Sequence, residues 1–154
     1  MPAKKLKQFL DDNDIKYVAI QHSPAYTAQE IAASAHIPGR ELAKCVMVKL
    51  DGTMTMAVLP ASLNIDLKKL ADLTGAVKAE LAEESEFEGL FAGCEAGAMS
   101  PFGNLYDIDV LVATPLAEDE EIAFNAGSHL ELIKMAYADF ERLVQPKILP
   151  FQRG

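Results

Sequence analysis

Residues 43–59 read AKCVMVKLDGTMTMAVL, two runs rich in strand-forming residues separated by Asp51-Gly52. An Asp-Gly pair between such runs is a strong short-range signal for a two-residue hairpin. The runs Ala43–Leu50 and Thr53–Leu59 are therefore expected to pair antiparallel, which already breaks any strict alternation of parallel strand and helix. Side chains alternate across a strand, so Lys44 shares a face with Val46, Val48 and Leu50, while Cys45, Met47 and Lys49 face the other way. A charged amine on an apolar row is costly unless it reaches water along its stem or faces a pocket or partner. Pattern alone leaves both options open.

Outward from the hairpin, helix and strand signals interleave. Lys4–Asp12 carries Leu6, Phe9 and Leu10 at helical spacing and closes at Asn13-Asp14, and residues 16–22 form a strand-like run that stops at Ser23-Pro24. Thr27 stands three residues before Glu30, the capping-box spacing, ahead of a second short helix that Pro38-Gly39 ends. On the C-terminal side, Asp66–Leu73 is amphipathic, with Asp66 placed to favour its N-terminus and Thr74-Gly75 at its end, and Glu83–Leu90 is a weaker acidic helix. Phe91–Asn104, with its glycines and proline, is a structured loop. Asp107–Ala113, Ile122–Asn125 and Leu130–Met135 are expected strands, and Ala136–Val144 a closing helix. The tail from Gln145 to Gly154, with two prolines, is expected to be loosely attached. The sum is a single α+β domain spanning 1–154, a mixed, mostly antiparallel sheet flanked by helices.

Composition narrows the function. The chain has 154 residues, half of them hydrophobic, enough for one domain with a sizeable core. No apolar run approaches the roughly 18–20 residues of a membrane span, and the polar start lacks a signal-peptide core, so the expectation is a soluble, cytoplasmic protein with no membrane partner. Fourteen Lys and Arg stand against 23 Asp and Glu, a net charge of −9. Such a balance lacks the basic footprint of an autonomous nucleic-acid binder, so DNA is not an expected partner and any contact with RNA must be local or delivered by another protein. Cys45 and Cys94 belong to no CxxC or Cys/His cluster and read as buried thiols.

Motifs for dinucleotides, P-loop nucleotides, zincins and α/β-hydrolases are missing. His22, His36 and His129 lack paired-ligand spacing, so no metal or other cofactor is expected. The acidic clusters at Glu83-Glu84 and 118–121 read as solvated surface. Ser100 and Ser128 sit beside glycine-containing turns without an identifiable base, and read as turn hydroxyls. Two segments remain: Gly97-Ala-Met-Ser-Pro-Phe-Gly103 and Asn125-Ala-Gly-Ser-His129. Glycine lets backbone approach a ligand closely and successive turn amides can converge on an anion, but each could equally be a tight structural turn.

Taken in order, HSPAYT with His22 and Thr27, Lys44 in ELAKCVMVKLDG, GAMSPFG, and AGSHLEL before MAYADFERLV resemble the YbaK/prolyl-tRNA synthetase-associated domain family over roughly His22–Val144. The resemblance implies a strongly curved sheet flanked by helices. It also implies a metal-independent aminoacyl-tRNA deacylase that edits mischarged tRNA, acting on the 3′ end of aminoacyl-tRNA, with a synthetase as a further partner. The target in relatives is typically a small or cysteine-sized amino acid on tRNA for proline. The family's essential strand lysine maps onto Lys44, its SP-containing loop onto Gly97, Ala98, Ser100, Pro101 and Gly103, and its later glycine turn onto Gly127 and Ser128; His22, Thr27 and His129 complete the implied substrate-binding set. Many relatives carry Gly-Gly or Pro-Gly before the SP pair, where this chain has Ala98-Met99. That departure is expected to narrow the pocket and keeps a second reading in view, a non-catalytic module that binds an aminoacyl-adenosine-like ligand or a synthetase. A third reading is an unrelated hydrolase using Cys45 or Cys94.

Overall fold

The computed structural model describes residues 2–21, 30, 37–91, 98–128 and 131–153. The hairpin forms as the Asp-Gly signal requires: β2 (Ala43–Leu50) and β3 (Thr53–Pro60) pair antiparallel in a register running from Ala43–Pro60 to Leu50–Thr53. Asp51 and Gly52 both take positive φ, 50° and 85°. Two successive positive φ values define the turn whose twist matches that of the flanking strands. The Asp51 carboxylate also accepts from the backbone N–H groups of Val77 and Lys78, which ties the turn to the segment entering β5 (Ala79–Leu81).

The hairpin is the centre of a five-stranded mixed sheet in the order β5-β2-β3-β6-β9, where β6 is Asp109–Ala113 and β9 is Lys147–Leu149. β5 and β2 join antiparallel, and β3, β6 and β9 run parallel. A second, wholly antiparallel sheet has the order β1-β8-β7, from Tyr17–Gln21, Glu131–Ala136 and Glu121–Asn125. The two sheets touch through one parallel bridge, Leu42 to Ala123, just before β2 begins.

The main core lies between the inner faces of both sheets, with Met47, Met56, Val58, Val112, Phe124 and Ile133 among its members. Helix α1 (Pro2–Asp12) closes it with Leu6 and Leu10, as its spacing predicts. Helix α5 (Tyr137–Val144), which follows the single turn α4 (Thr114–Ala117), adds Tyr137 and Phe140. On the opposite face of the large sheet, helix α2 (Leu67–Thr74) packs Leu70 over Val48, Ala57 and Leu59. Asp66 caps that helix by accepting from the Lys69 N–H at 3.0 Å, and Gly75 ends it in the left-handed region at φ 78°.

Three expectations change. Glu83–Leu90 is not one helix: a single turn, α3 (Glu84–Phe87), passes into a 3₁₀ turn at Glu88–Leu90. The short strands β5 and β4 (Asn64–Ile65) carry too few residues to show periodicity in sequence. The tail is not loose. β9 extends the large sheet, Phe151 is fully buried in the second core, and β10 (Gln152–Arg153) pairs antiparallel with β4. Its prolines, Pro146 and Pro150, flank β9 outside the paired residues, where a missing N–H breaks no ladder. The helix expected after Thr27 lies outside the described residues.

Candidate active site

Lys44 takes the side of β2 that alternation assigns. It stands opposite Leu59, a member of the α2-side core, while Cys45 packs against the main core. Burial in that core pushes the Cys45 thiol well above the ordinary cysteine range, so it stays protonated and a poor nucleophile. Lys44 itself is half-buried and lines a groove of about 600 Å³, rather than extending into bulk water. Val46 and Leu81 form one wall of this groove, Ile65 on β4 and Leu67 at the start of α2 another, and Lys68 and Arg153 stand at it as further cations. Lys44 makes no ion pair or hydrogen bond among the described residues.

The pairing of β2 explains why the groove opens there. Its β3 edge is paired throughout. Its other edge is bridged to β7 only at Leu42, resumes at Met47, whose carbonyl accepts from the Ala82 N–H, and pairs with β5 from Val48. Between these points Ala43–Val46 have no strand partner on that edge among the described residues. Lys44 sits in this interval, two residues past the bridge.

Asn125 lies two residues past the same bridge on β7, which runs in the same direction. With a period of two, it belongs to the face of Ala123, as Lys44 belongs to that of Leu42. The Asn125 Oδ1 is buried with no hydrogen-bond partner among the described residues. A buried acceptor left open is costly unless a ligand donor reaches it. The sequence places Asn125 at the end of the Ile122–Asn125 strand and at the start of a turn segment, without giving it a role.

The two glycine-bearing turns come together. After β7, the Gly127 N–H donates to the Ala98 carbonyl at 2.8 Å, and Gly127 has φ 91°, a conformation that side-chain-bearing residues rarely adopt. The SP loop is held from below by Phe102, fully buried against Phe9, Phe124 and Phe140 at centroid distances of 6.0, 5.8 and 5.3 Å. Helix α1 braces its far side, where the Lys5 ammonium donates to the Leu105 carbonyl. Ser100 and Pro101 are buried on this anchored segment.

Gly103 is also buried, and its missing side chain has a packing reason: a Cβ there would lie 2.7 Å from Val110 Cγ2 and 2.8 Å from the Ile108 carbonyl oxygen. Ala98 and Met99 are buried too, Met99 within the main core, and neither lines the Lys44 groove. Their side chains therefore fill the interior and do not narrow that groove.

The turns and the groove are distinct: the groove is lined from β2, β4, β5, α2 and β10, and no described residue of either turn lines it. His22, Thr27, Gly97 and His129 lie outside the described residues, as does Cys94. The sequence reading gives no role to Lys68, within the amphipathic Asp66–Leu73 helix, or to Arg153, within a tail expected to be loose. A larger cavity of about 650 Å³ opens at the other end of the sheet, against Thr55, Asp109 and Lys147, and none of the residues singled out in the sequence lines it. Among the described residues no cluster of His, Cys, Asp and Glu is set to hold a metal ion, and no helix is long and apolar enough to cross a membrane.

With this geometry in hand, comparison with known proteins gives consistent matches. Residues 22–143 match the profile of the family described as the aminoacyl-tRNA editing domain. The chain is 36% identical over 117 residues to the multifunctional Ser/Thr-tRNA deacylase ProXp-y of Escherichia coli K12, covering 72% of this chain and 69% of that protein. It is 27% identical over 142 residues to the prolyl-tRNA editing protein ProX of Acetoanaerobium sticklandii, covering 88% and 86%. In fold it superposes on a candidate trans-editing enzyme for prolyl tRNA synthetase with a TM-score of 0.85 at 16% identity, covering 99% of this chain and 98% of that one.

Proposed function

The chain belongs to the aminoacyl-tRNA editing domain family, and from that premise we propose that it is a trans-acting deacylase that hydrolyses the ester of a small or cysteine-sized amino acid on mischarged tRNA, with tRNA for proline as the first candidate. The observation that carries the reading is Lys44, an ammonium with no ion pair among the described residues, in an interval of β2 without a strand partner on one edge among those residues, beside the strand whose following turn is bonded through Gly127 to Ala98.

The chemistry asks for little more. An aminoacyl ester is already activated, so water can attack its carbonyl carbon once it is positioned and once the developing oxyanion has donors. Lys44 is assigned to hold the carbonyl oxygen or the adjacent phosphate, and backbone N–H groups of the Ala98–Gly103 loop, to which Gly127 is bonded, supply further donors. The bond between the carbonyl carbon and the ribose oxygen then breaks, the ribose oxygen takes up a proton, and the amino acid leaves as a carboxylate. A side-chain nucleophile is not needed. His22, Thr27 and His129 are assigned to the same substrate on the family resemblance. A separate editing pocket has a physical reason, because one methylene is worth only about 1–3 kcal/mol of discrimination and a synthetase cannot reject every smaller competitor at its first site.

The test is a panel of mischarged tRNAs, including Ser, Thr, Ala and Cys esters, incubated with the native protein and with Lys44→Ala, with and without a synthetase. Release of amino acid from at least one member, reduced about 10²- to 10³-fold in the variant, is the expected result. No release from any member would overturn the reading, and tight binding of a non-hydrolysable aminoacyl-adenosine without turnover would point to the binding-module alternative.

A further inference from the structure

We propose that the groove beside Lys44 is the seat of the RNA backbone at the substrate's 3′ end, and that Lys68 and Arg153 are the residues that grip its phosphates. This rests on the deacylase reading and adds to it two binding residues and a location. Three observations carry it.

The first is charge. The protein carries a net −9, and six of its fourteen Lys and Arg pair with acids: Lys7 with Glu131, Lys49 with Glu80 and Glu86, Lys78 with Glu80, Lys134 with Glu121, Arg142 with Asp139 and Arg40 with Asp119. Lys44, Lys68 and Arg153 converge on one groove and none of them makes an ion pair among the described residues. Against these three stands Asp66, the only acid lining the groove among the described residues, with one carboxylate oxygen engaged by the Lys69 N–H. A locally positive cleft in an acidic body concentrates an anion at that place.

The second is shape. Val46, Ile65, Leu67 and Leu81 give the groove apolar walls that suit the face of a base or ribose, while its cations suit phosphate. A lone inorganic anion would have no use for those walls. The third is position. Lys68 lies on the first turn of α2 and Arg153 on β10, which is held to the start of α2 through β4, so both cations stand on paired or capped backbone. Lys44 is the residue common to this groove and to the interval beside β7, so a chain lying in the groove would point its end toward the two glycine turns.

The test compares Lys68→Ala, Arg153→Ala and the double variant on two substrates: an aminoacylated minihelix ending in CCA, and the same amino acid esterified to adenosine, which has no phosphate. The expected result is a fall in kcat/KM for the minihelix, carried by KM, of about ten-fold for each cation removed. The ratio of minihelix to adenosine-ester activity falls with it. A variant that only damages the fold would lower both and leave the ratio in place, and an unchanged ratio overturns the proposal. Binding is read separately, by fluorescence anisotropy of an uncharged, labelled CCA trinucleotide at low salt. Binding by the native protein that weakens in the double variant supports the groove even where no ester is hydrolysed, a pattern that would sink the deacylase reading alone. No binding by the native protein, or equal binding by the double variant, overturns the groove.

Discussion

Tyr137 and Cys45 show what burial does to a single acid. Tyr137 is 4% exposed, and burial first, then the Glu141 carboxylate, pushes its phenol well above the usual tyrosine range; its hydroxyl donates to Glu141 Oε1 at 3.2 Å. Cys45 is pushed in the same direction by burial. In both cases the folded state holds the proton more tightly than the unfolded chain, whose thiol and phenol ionise near about 8.5 and about 10. Stability from these groups is therefore complete below about pH 8 and is lost as the pH rises through the unfolded values toward the folded ones. The urea midpoint is expected to fall steadily between pH 8 and pH 11, and to fall less steeply in Tyr137→Phe. A midpoint that stays level over that range, or the same slope in the variant, would contradict this account.

At the level of elements, the segment from Ser100 to Tyr106 joins the site to the core. Its 3₁₀ turn, Gly103–Tyr106, lies against β6, and the Gly103 carbonyl accepts from the Ile108 N–H. A methyl at Gly103 meets a backbone oxygen as well as a side chain, so rotamer changes alone cannot relieve it. Gly103→Ala is expected to destabilise the protein by about 1–3 kcal/mol, the usual range for overpacking, measured by urea unfolding. It is also expected to lower deacylation by displacing the loop. Unchanged stability would mean that β6 can yield at Val110 and Ile108.

Elements whose signal is local were legible in the sequence: the Asp51-Gly52 hairpin, the Asp66-capped helix ending at Gly75, and α1 with Leu6 and Leu10. Elements defined by their partners were not. Asn64–Ile65 is a strand only because Gln152–Arg153 pairs with it, and β9 only because β6 offers a parallel edge. The site divides the same way. Lys44 was visible as a charge on an apolar row. The open edge beside it follows from where β7 and β5 meet β2, and the roles of Lys68 and Arg153 depend on a tail that folds back. No local pattern encodes either.

For the whole molecule, the balance between an acidic body and one positive groove sets how RNA can be held. Each phosphate neutralised on a single strand contributes about −0.7 to the slope of log K against log salt, so three cations give a slope of about −2. Beyond the groove, the excess of carboxylates over Lys and Arg offers a long acceptor stem little attraction and some repulsion. Intact tRNA is therefore expected to bind no more than about ten-fold more tightly than its CCA end, with nearly the same salt dependence. Anisotropy titrations of both RNAs across a range of KCl concentrations measure this directly. A slope for intact tRNA several units steeper than that for the trinucleotide would show that the body carries an RNA-binding surface of its own. Equal slopes would leave selection among tRNAs to the amino acid and to any partner protein. Adding a synthetase should then steepen the dependence of turnover on tRNA identity while leaving turnover of the adenosine ester as it was.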